Sequence, residues 1–227
     1  MRNLQYWGAL AALVEAVTFI AGFVLYFTLL GAANYGSLDI DPIKNVIFLA
    51  EHKVLMHTWY FTIYIVFGIF LVVLALSLYQ RLKLSAPALI QVATAFGLIW
   101  AGLVIASGLV ANIGAETVIN LYLKDPAQAA SMWLALQFVV NGLGGGNEII
   151  GGIWVLLVSV AATGRLPSLL NGLGMLIGFA GVASSAPMMG ALGAVFGLGL
   201  ILWFFWLAVV MLRPASPGLD RISDKTI

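Results

Sequence analysis

Six stretches of about 20 or more mainly apolar residues run through this chain, each long enough to cross the hydrocarbon core of a bilayer as a helix. They are Gln5–Leu30, Leu55–Tyr79, Ala86–Asn112, Ala129–Ala162, Ser168–Pro187 and Met188–Leu212. Hydrocarbon offers a peptide group no water, and unbroken apolar runs of this length satisfy their backbone as helices. Composition agrees. Of the 227 residues, 63% are hydrophobic and only 8% charged, whereas a soluble domain carries about a quarter charged residues to cover its core. The predicted fold class is an all-α integral membrane protein, a compact bundle of six transmembrane helices. It forms a single domain over residues 1–213, followed by a short polar tail over 214–227. Arg2 ahead of an apolar run has the look of a signal peptide. The run continues to Leu30 and contains Glu15, so it reads as a retained first helix.

Loop charges orient the bundle. If the segments alternate, Arg2, Arg81, Lys83, Arg165, Arg213, Arg221 and Lys225 fall on one side. Lys44, Lys53 and Lys124 fall on the other, among Asp39, Asp41, Glu51, Glu116 and Asp125. Basic excess marks the cytoplasmic face, so both termini are expected inside. The outer connections, Gly31–Val54 and Ile113–Gln128, each hold a short amphipathic stretch, Ile43–Leu49 and Val118–Leu123, expected to lie on the interface as a partial helix. Ser184-Ser185-Ala186-Pro187 reads as the turn of a helical hairpin.

Net charge is +1, which gives a nucleic-acid partner no electrostatic support. There is no cysteine, so disulfides and thiolate metal sites do not arise. The implied partner of most of the surface is the lipid bilayer.

Charged groups within the spans need a reason, because each costs roughly 2.5–3.5 kcal/mol on insertion scales. Two acids qualify, Glu15 in the first segment and Glu148 in the fourth. At helical steps from Glu148 come Gln137, Asn141, Gly144, Gly145, Gly152 and Ser159; from Glu15 come Gly8, Ala11, Ala12, Thr18 and Gly22. Each acid lies on a stripe of small and polar residues that packs closely on another helix. If the stripes pack on each other, both carboxyls sit at one depth in the bundle core. The candidate ligand-binding residues are therefore Glu148, Asn147, Asn141, Gln137 and Glu15. A structural role is the competing reading, with each acid locking two helices together.

The glycine run Gly142-Leu143-Gly144-Gly145-Gly146, followed by Gly151-Gly152, has two readings. So many glycines weaken the helix enough to unwind it before Glu148, or they let a neighbouring helix approach closely. The pairs Gly174/Gly178 and Gly193/Gly197 are expected to bring the fifth and sixth helices together, or to form a homo-oligomer contact. His52 and His57 stand five residues apart, about 140° around a regular helix, so they do not jointly ligate one metal. His57, the deeper of the two, joins the ligand-binding candidates. No metal site, cofactor or catalytic set follows from the sequence.

The stretch Gly145-Gly146-Asn147-Glu148-Ile149-Ile150-Gly151-Gly152-Ile153-Trp154, then Gly164-Arg165-Leu166-Pro167, Leu170-Asn171-Gly172-Leu173-Gly174, and Phe196-Gly197-Leu198-Gly199 leading to Trp203 and Leu212-Arg213 resembles a bacterial family of small six-helix inner-membrane proteins of unknown function. The resemblance implies a six-helix fold and a bacterial inner (cytoplasmic) membrane, and no activity. Two function classes follow. In one, the chain binds or transports a small molecule or proton through a core site around Glu148 and Glu15. In the other, it is a non-enzymatic accessory or scaffold subunit of a larger membrane complex or homo-oligomer. An intramembrane enzyme is the weakest reading, since no cysteine is present and both histidines lie at one interface.

Overall fold

The computed structural model describes residues 2–213 apart from Leu38, Gly146, Asn147 and Pro187. The tail 214–227 and Asn147 therefore lie outside the described residues. Every regular element is helical: α1 (Arg2–Leu25), α2 (Pro42–Glu51), α3 (Lys53–Tyr60), α4 (Phe67–Leu82), α5 (Pro87–Tyr122), α6 (Pro126–Val140), α7 (Ile149–Ala161), α8 (Ser168–Ala183) and α9 (Leu192–Leu212). Wider π-helical turns extend α1 over Tyr26–Leu30, join α3 to α4 over Phe61–Val66, and follow α6 over Asn141–Gly145.

Five of the resulting rods are long and apolar enough to cross a membrane: Asn3–Leu30, Lys53–Leu82, Pro87–Tyr122, Pro126–Ala161 and Leu192–Leu212. The fifth expected segment gives only the 16-residue α8, about 24 Å long. Eight residues then separate it from α9, which starts at Leu192 rather than Met188.

Six helices close a ring. α1 packs between α4 and α9, α4 on α5, α5 on α7, α7 on α8, and α8 back on α9. Large side chains fill the centre. Trp154 and Trp203 are fully buried and meet edge to face at 5.9 Å, with Leu71, Leu74, Phe196 and Phe204 around them. A second apolar cluster sits at one end, where Val46, Leu49, Met56, Ala115, Val118 and Trp133 join α2 and α3 to the last turns of α5 and to α6.

The two ends differ in charge. At one, Arg81 donates to Gln5 Oε1 at 3.1 Å and to Val210 O at 3.3 Å, tying α4 to the start of α1 and the end of α9. Lys83 and Arg165 lie at this same end. At the other, Asp41 caps α2 by accepting from the Ile43 amide at 2.9 Å, and Asp125 caps α6 by accepting from the Gln128 amide at 3.0 Å.

One expectation about the connections is corrected. Val118–Leu123 is not a separate interfacial helix, because α5 runs unbroken for 36 residues, about 54 Å. Its last turns carry Glu116 and Asn120, which halt the apolar run without halting the helix. Asp125-Pro126 stops it. The amphipathic stretch Ile43–Leu49 is helical as expected, within α2.

The glycines resolve both ways. At Gly144 the backbone leaves helical geometry (φ 161°, ψ 1°), so the fourth rod is interrupted before Glu148. At Gly152 the purpose is contact. A β-carbon there would lie 2.7 Å from the Gly178 carbonyl oxygen and the Val182 amide nitrogen. Gly178 thus packs on the fourth rod rather than on α9. Gly174 faces Ser159 and Trp203. Gly197 faces Phe23 of α1, so of these pairs Gly174 serves the expected α8–α9 contact through Trp203, while Gly178 and Gly197 serve α7 and α1. Gly164, at φ +75°, makes the left-handed turn after α7 that favours glycine. Asn171 donates to the freed carbonyls of Ala162 and Leu166 at 2.9 and 3.4 Å.

Candidate functional site

Two cavities open where the π-helical turns widen the bundle. The first, about 580 Å³, lies between α1, α3, α5, the broken fourth rod and the start of α9. Nine of the eighteen described residues that line it are aromatic, and among them Glu148 is the one carboxyl. Four of these rings come from α1 and its π-helical extension, three of them in a ladder. Phe19, Phe23 and Phe27 stand at steps of four, with the last two stacked at 5.9 Å and 13°. Phe19 meets Phe67 edge on at 5.5 Å, and Phe67 meets Trp100 at 5.2 Å.

Glu148 reaches this cavity because the helix breaks just before it and restarts at Ile149. Its carboxyl lies over Gly193, where a β-carbon would stand 3.5 Å from Cδ and Oε1. No hydrogen bond or ion pair ties the carboxyl to another described residue. Gly193 belongs to the first turn of α9, and a helix amino terminus favours a nearby negative charge.

The second cavity, about 570 Å³, is lined by Gln137 and Asn141, by Tyr35 and Tyr60, and by Asn34 and Ser37 of the α1–α2 connection. Tyr26, Trp59 and Tyr64 line both cavities. The hydroxyls of Tyr35 and Tyr60 are 2.7 Å apart, and burial pushes the Tyr35 phenol up. Asn45, almost fully buried, accepts from the Gly36 amide at 2.8 Å and shapes the connection. The polar stripe read around Glu148 is thus divided: Gln137 and Asn141 serve one cavity, Glu148 its neighbour.

Glu15 joins neither. It is fully buried among the helices, and neither carboxyl oxygen has a hydrogen-bond partner among the described residues. α1 and α9 run antiparallel, with Gly8 against Met211 at one end and Phe23 against Gly197 towards the other. Gly193 and Glu148 lie a turn beyond Phe23, whereas Glu15 lies eight residues the opposite way, about 12 Å. The common depth expected for the two acids is therefore not found. Glu15 and most of its stripe are buried, whereas Gln137, Asn141 and Glu148 are at most half-buried, facing the cavities.

His57 belongs to a third cluster, at the end of the bundle where α3 meets α5. Asn112 donates its amide to Gly108 O at 2.9 Å, which leaves its Oδ1 to accept from His57 Nδ1–H at 2.8 Å. Lys53 pairs with Glu116 at 2.7 Å, and His57 Nε2 lies 3.6 Å from the same carboxylate. His52 stacks on Phe48 at 4.3 Å and bonds its carbonyl, at the kink between α2 and α3. The side chains of Lys53 and Glu116 are 43% and 44% exposed, and water screens such pairs strongly. Glu116→Gln is accordingly expected to leave the midpoint of unfolding in detergent close to that of the parent chain. A large drop would mean that this cluster holds α3 on α5.

The sequence reading missed the aromatic ladder. Its signal was present in the spacing of Phe19, Phe23 and Phe27, which an isolated helix presents equally well to lipid, to core or to a cavity. The chain matches no family model, no curated protein and no solved structure.

Proposed function

We propose that this chain is a multi-pass protein of the bacterial inner membrane, crossing it six times with both termini cytoplasmic, and that it binds a small molecule in the cavity at Glu148. One observation carries the reading: a carboxyl without a protein partner among the described residues lines an aromatic cavity of about 580 Å³, within the range of small-ligand sites. Supporting the orientation, Arg81, Lys83, Arg165 and Arg213 gather at one end of the ring, while acids outnumber lysines at the other. Gly164 and Asn171, which lie in the motifs that resemble the six-helix family, form the turn between α7 and α8. The scaffold reading draws less support, because a packed partner surface gives no reason for an aromatic void with a carboxyl in it. Transport is a separate step, for which the Gly144 break supplies a deformable segment.

The test is to fill the cavity. A β-carbon at Gly193 meets Glu148 only at ordinary contact distance, so Gly193→Leu is expected to fold and to occupy the space. Mass spectrometry of protein purified from membranes should then find small molecules retained by the parent chain and absent from Gly193→Leu. Identical profiles from two equally folded proteins would refute the site.

A further inference from the structure

We propose that the Glu148 cavity takes an organic cation with an apolar body, an amine or a quaternary onium ion, its charge held between the Glu148 carboxylate and the ring of Phe23. This rests on the reading of the cavity as a small-molecule site and narrows its ligand to one chemical class.

The lining sets the charge. Among its described residues there is one carboxyl and no lysine, arginine or histidine. An anion would meet the carboxylate without compensation. Tyr26, Tyr64 and Trp59 offer a neutral polyol hydrogen-bond donors, but a neutral ligand leaves the charge of the carboxylate unanswered. Aromatic faces attract cations through their quadrupole, within about 6 Å of the ring centre.

The geometry brings the two elements together. Gly193 and Gly197 are one turn apart on α9, about 6 Å. The Glu148 carboxyl lies over the first, and Phe23 lies over the second, where a β-carbon would stand 2.9 Å from its Cζ. Phe23 turns its Cζ edge to Gly197 and one face to Phe27, so a positive centre held by the carboxylate would meet the ring at its other face. The apolar body would extend along the ladder towards Phe67 and Trp100. Phe27 and Tyr26, at the rim, are 67% and 50% exposed, so the cavity opens beside the outer end of α1. The neighbouring cavity makes a useful contrast, because its amides and phenols offer hydrogen bonds and no charge.

The test uses ions of matched shape and opposite sign. The full chain, in nanodiscs of uncharged phosphatidylcholine, is dialysed against tetraphenylphosphonium, tetraphenylborate or neutral triphenylphosphine oxide. Saturable binding is expected for the phosphonium alone, weakened at least about tenfold by Glu148→Gln and also weakened by Phe23→Leu, with thermal unfolding confirming that each variant is folded. Should Glu148→Gln fail to fold, Phe23→Leu reports on the same strip. Equal binding of all three probes, or phosphonium binding untouched by the substitutions, would overturn the cation class while leaving a small-molecule cavity in place. Saturable binding of none of them would overturn it too. The retained-molecule comparison with Gly193→Leu then decides separately whether the cavity is a site at all.

Discussion

Gly152→Val should destabilise the protein by about 3 kcal/mol or more, lowering the midpoint of its unfolding in detergent well below that of the parent chain. Added bulk in a tight core ordinarily costs about 1–3 kcal/mol, because neighbouring side chains give way. Here there is no side chain to give. The first added carbon would meet the Gly178 carbonyl oxygen and the Val182 amide nitrogen at 2.7 Å, and a β-carbon at Gly178 would in turn meet Gly152 O and Leu156 N at 2.8 Å. Two helix backbones touch along this seam, so relief requires α7 and α8 to separate. Separation would uncover Trp154, which is fully buried. Gly172→Ala, on α8, is the control. Nothing lies within 4 Å of a β-carbon there, and replacing a helical glycine by alanine gains roughly 0.5–1 kcal/mol. Equal midpoints for Gly152→Val and Gly172→Ala would mean that the α7–α8 seam is misplaced.

The second large effect has the opposite sign. Glu15→Met should stabilise the fold by on the order of 1–3 kcal/mol. Ala11, Ala12 and Ala16 bury the face of α1 that carries Glu15, and both of its carboxyl oxygens lack a partner among the described residues. A buried polar group without a hydrogen bond costs about that much, and an apolar side chain of similar volume removes the cost. Glu15→Lys should fail to accumulate as folded protein, since it puts a charge where no described acid answers it. If Glu15→Met is less stable than the parent, the acid has a bonding partner inside the bundle, and its reading as a lone buried carboxyl falls.

These two sites also mark how far the sequence could be read. The long apolar rods were legible because hydrocarbon thickness acts as a ruler on apolar runs. Where helices leave that ruler, their ends were not. α5 continues ten residues past Asn112, the expected end of its segment, because Glu116 and Asn120 suit water and helix alike. The break before Glu148 was legible as one of two readings, from glycine content alone. Helical spacing assigns a residue to a face and is silent on which neighbour that face meets. For that reason Gly178 was placed against the wrong helix, and Glu15 and Glu148 were expected at one depth. The Glu148 cavity depended on a relation among several helices, so its acid could be picked out while its aromatic wall could not.

The three π-helical turns carry a mechanical consequence. Two of them, Tyr26–Leu30 and Phe61–Val66, hold one residue more than an α-helical turn over the same rise, and the third ends in the break at Gly144; they contribute Tyr26, Tyr64 and Gly144 to the wall of the cavity. An extra residue of this kind can migrate along its helix without net loss of backbone hydrogen bonding, and each step swings the residues it passes by about 100°. The α7–α8 seam sets backbone against backbone, whereas the wall that Glu148 faces is built from two wider helical turns and a break in the fourth rod.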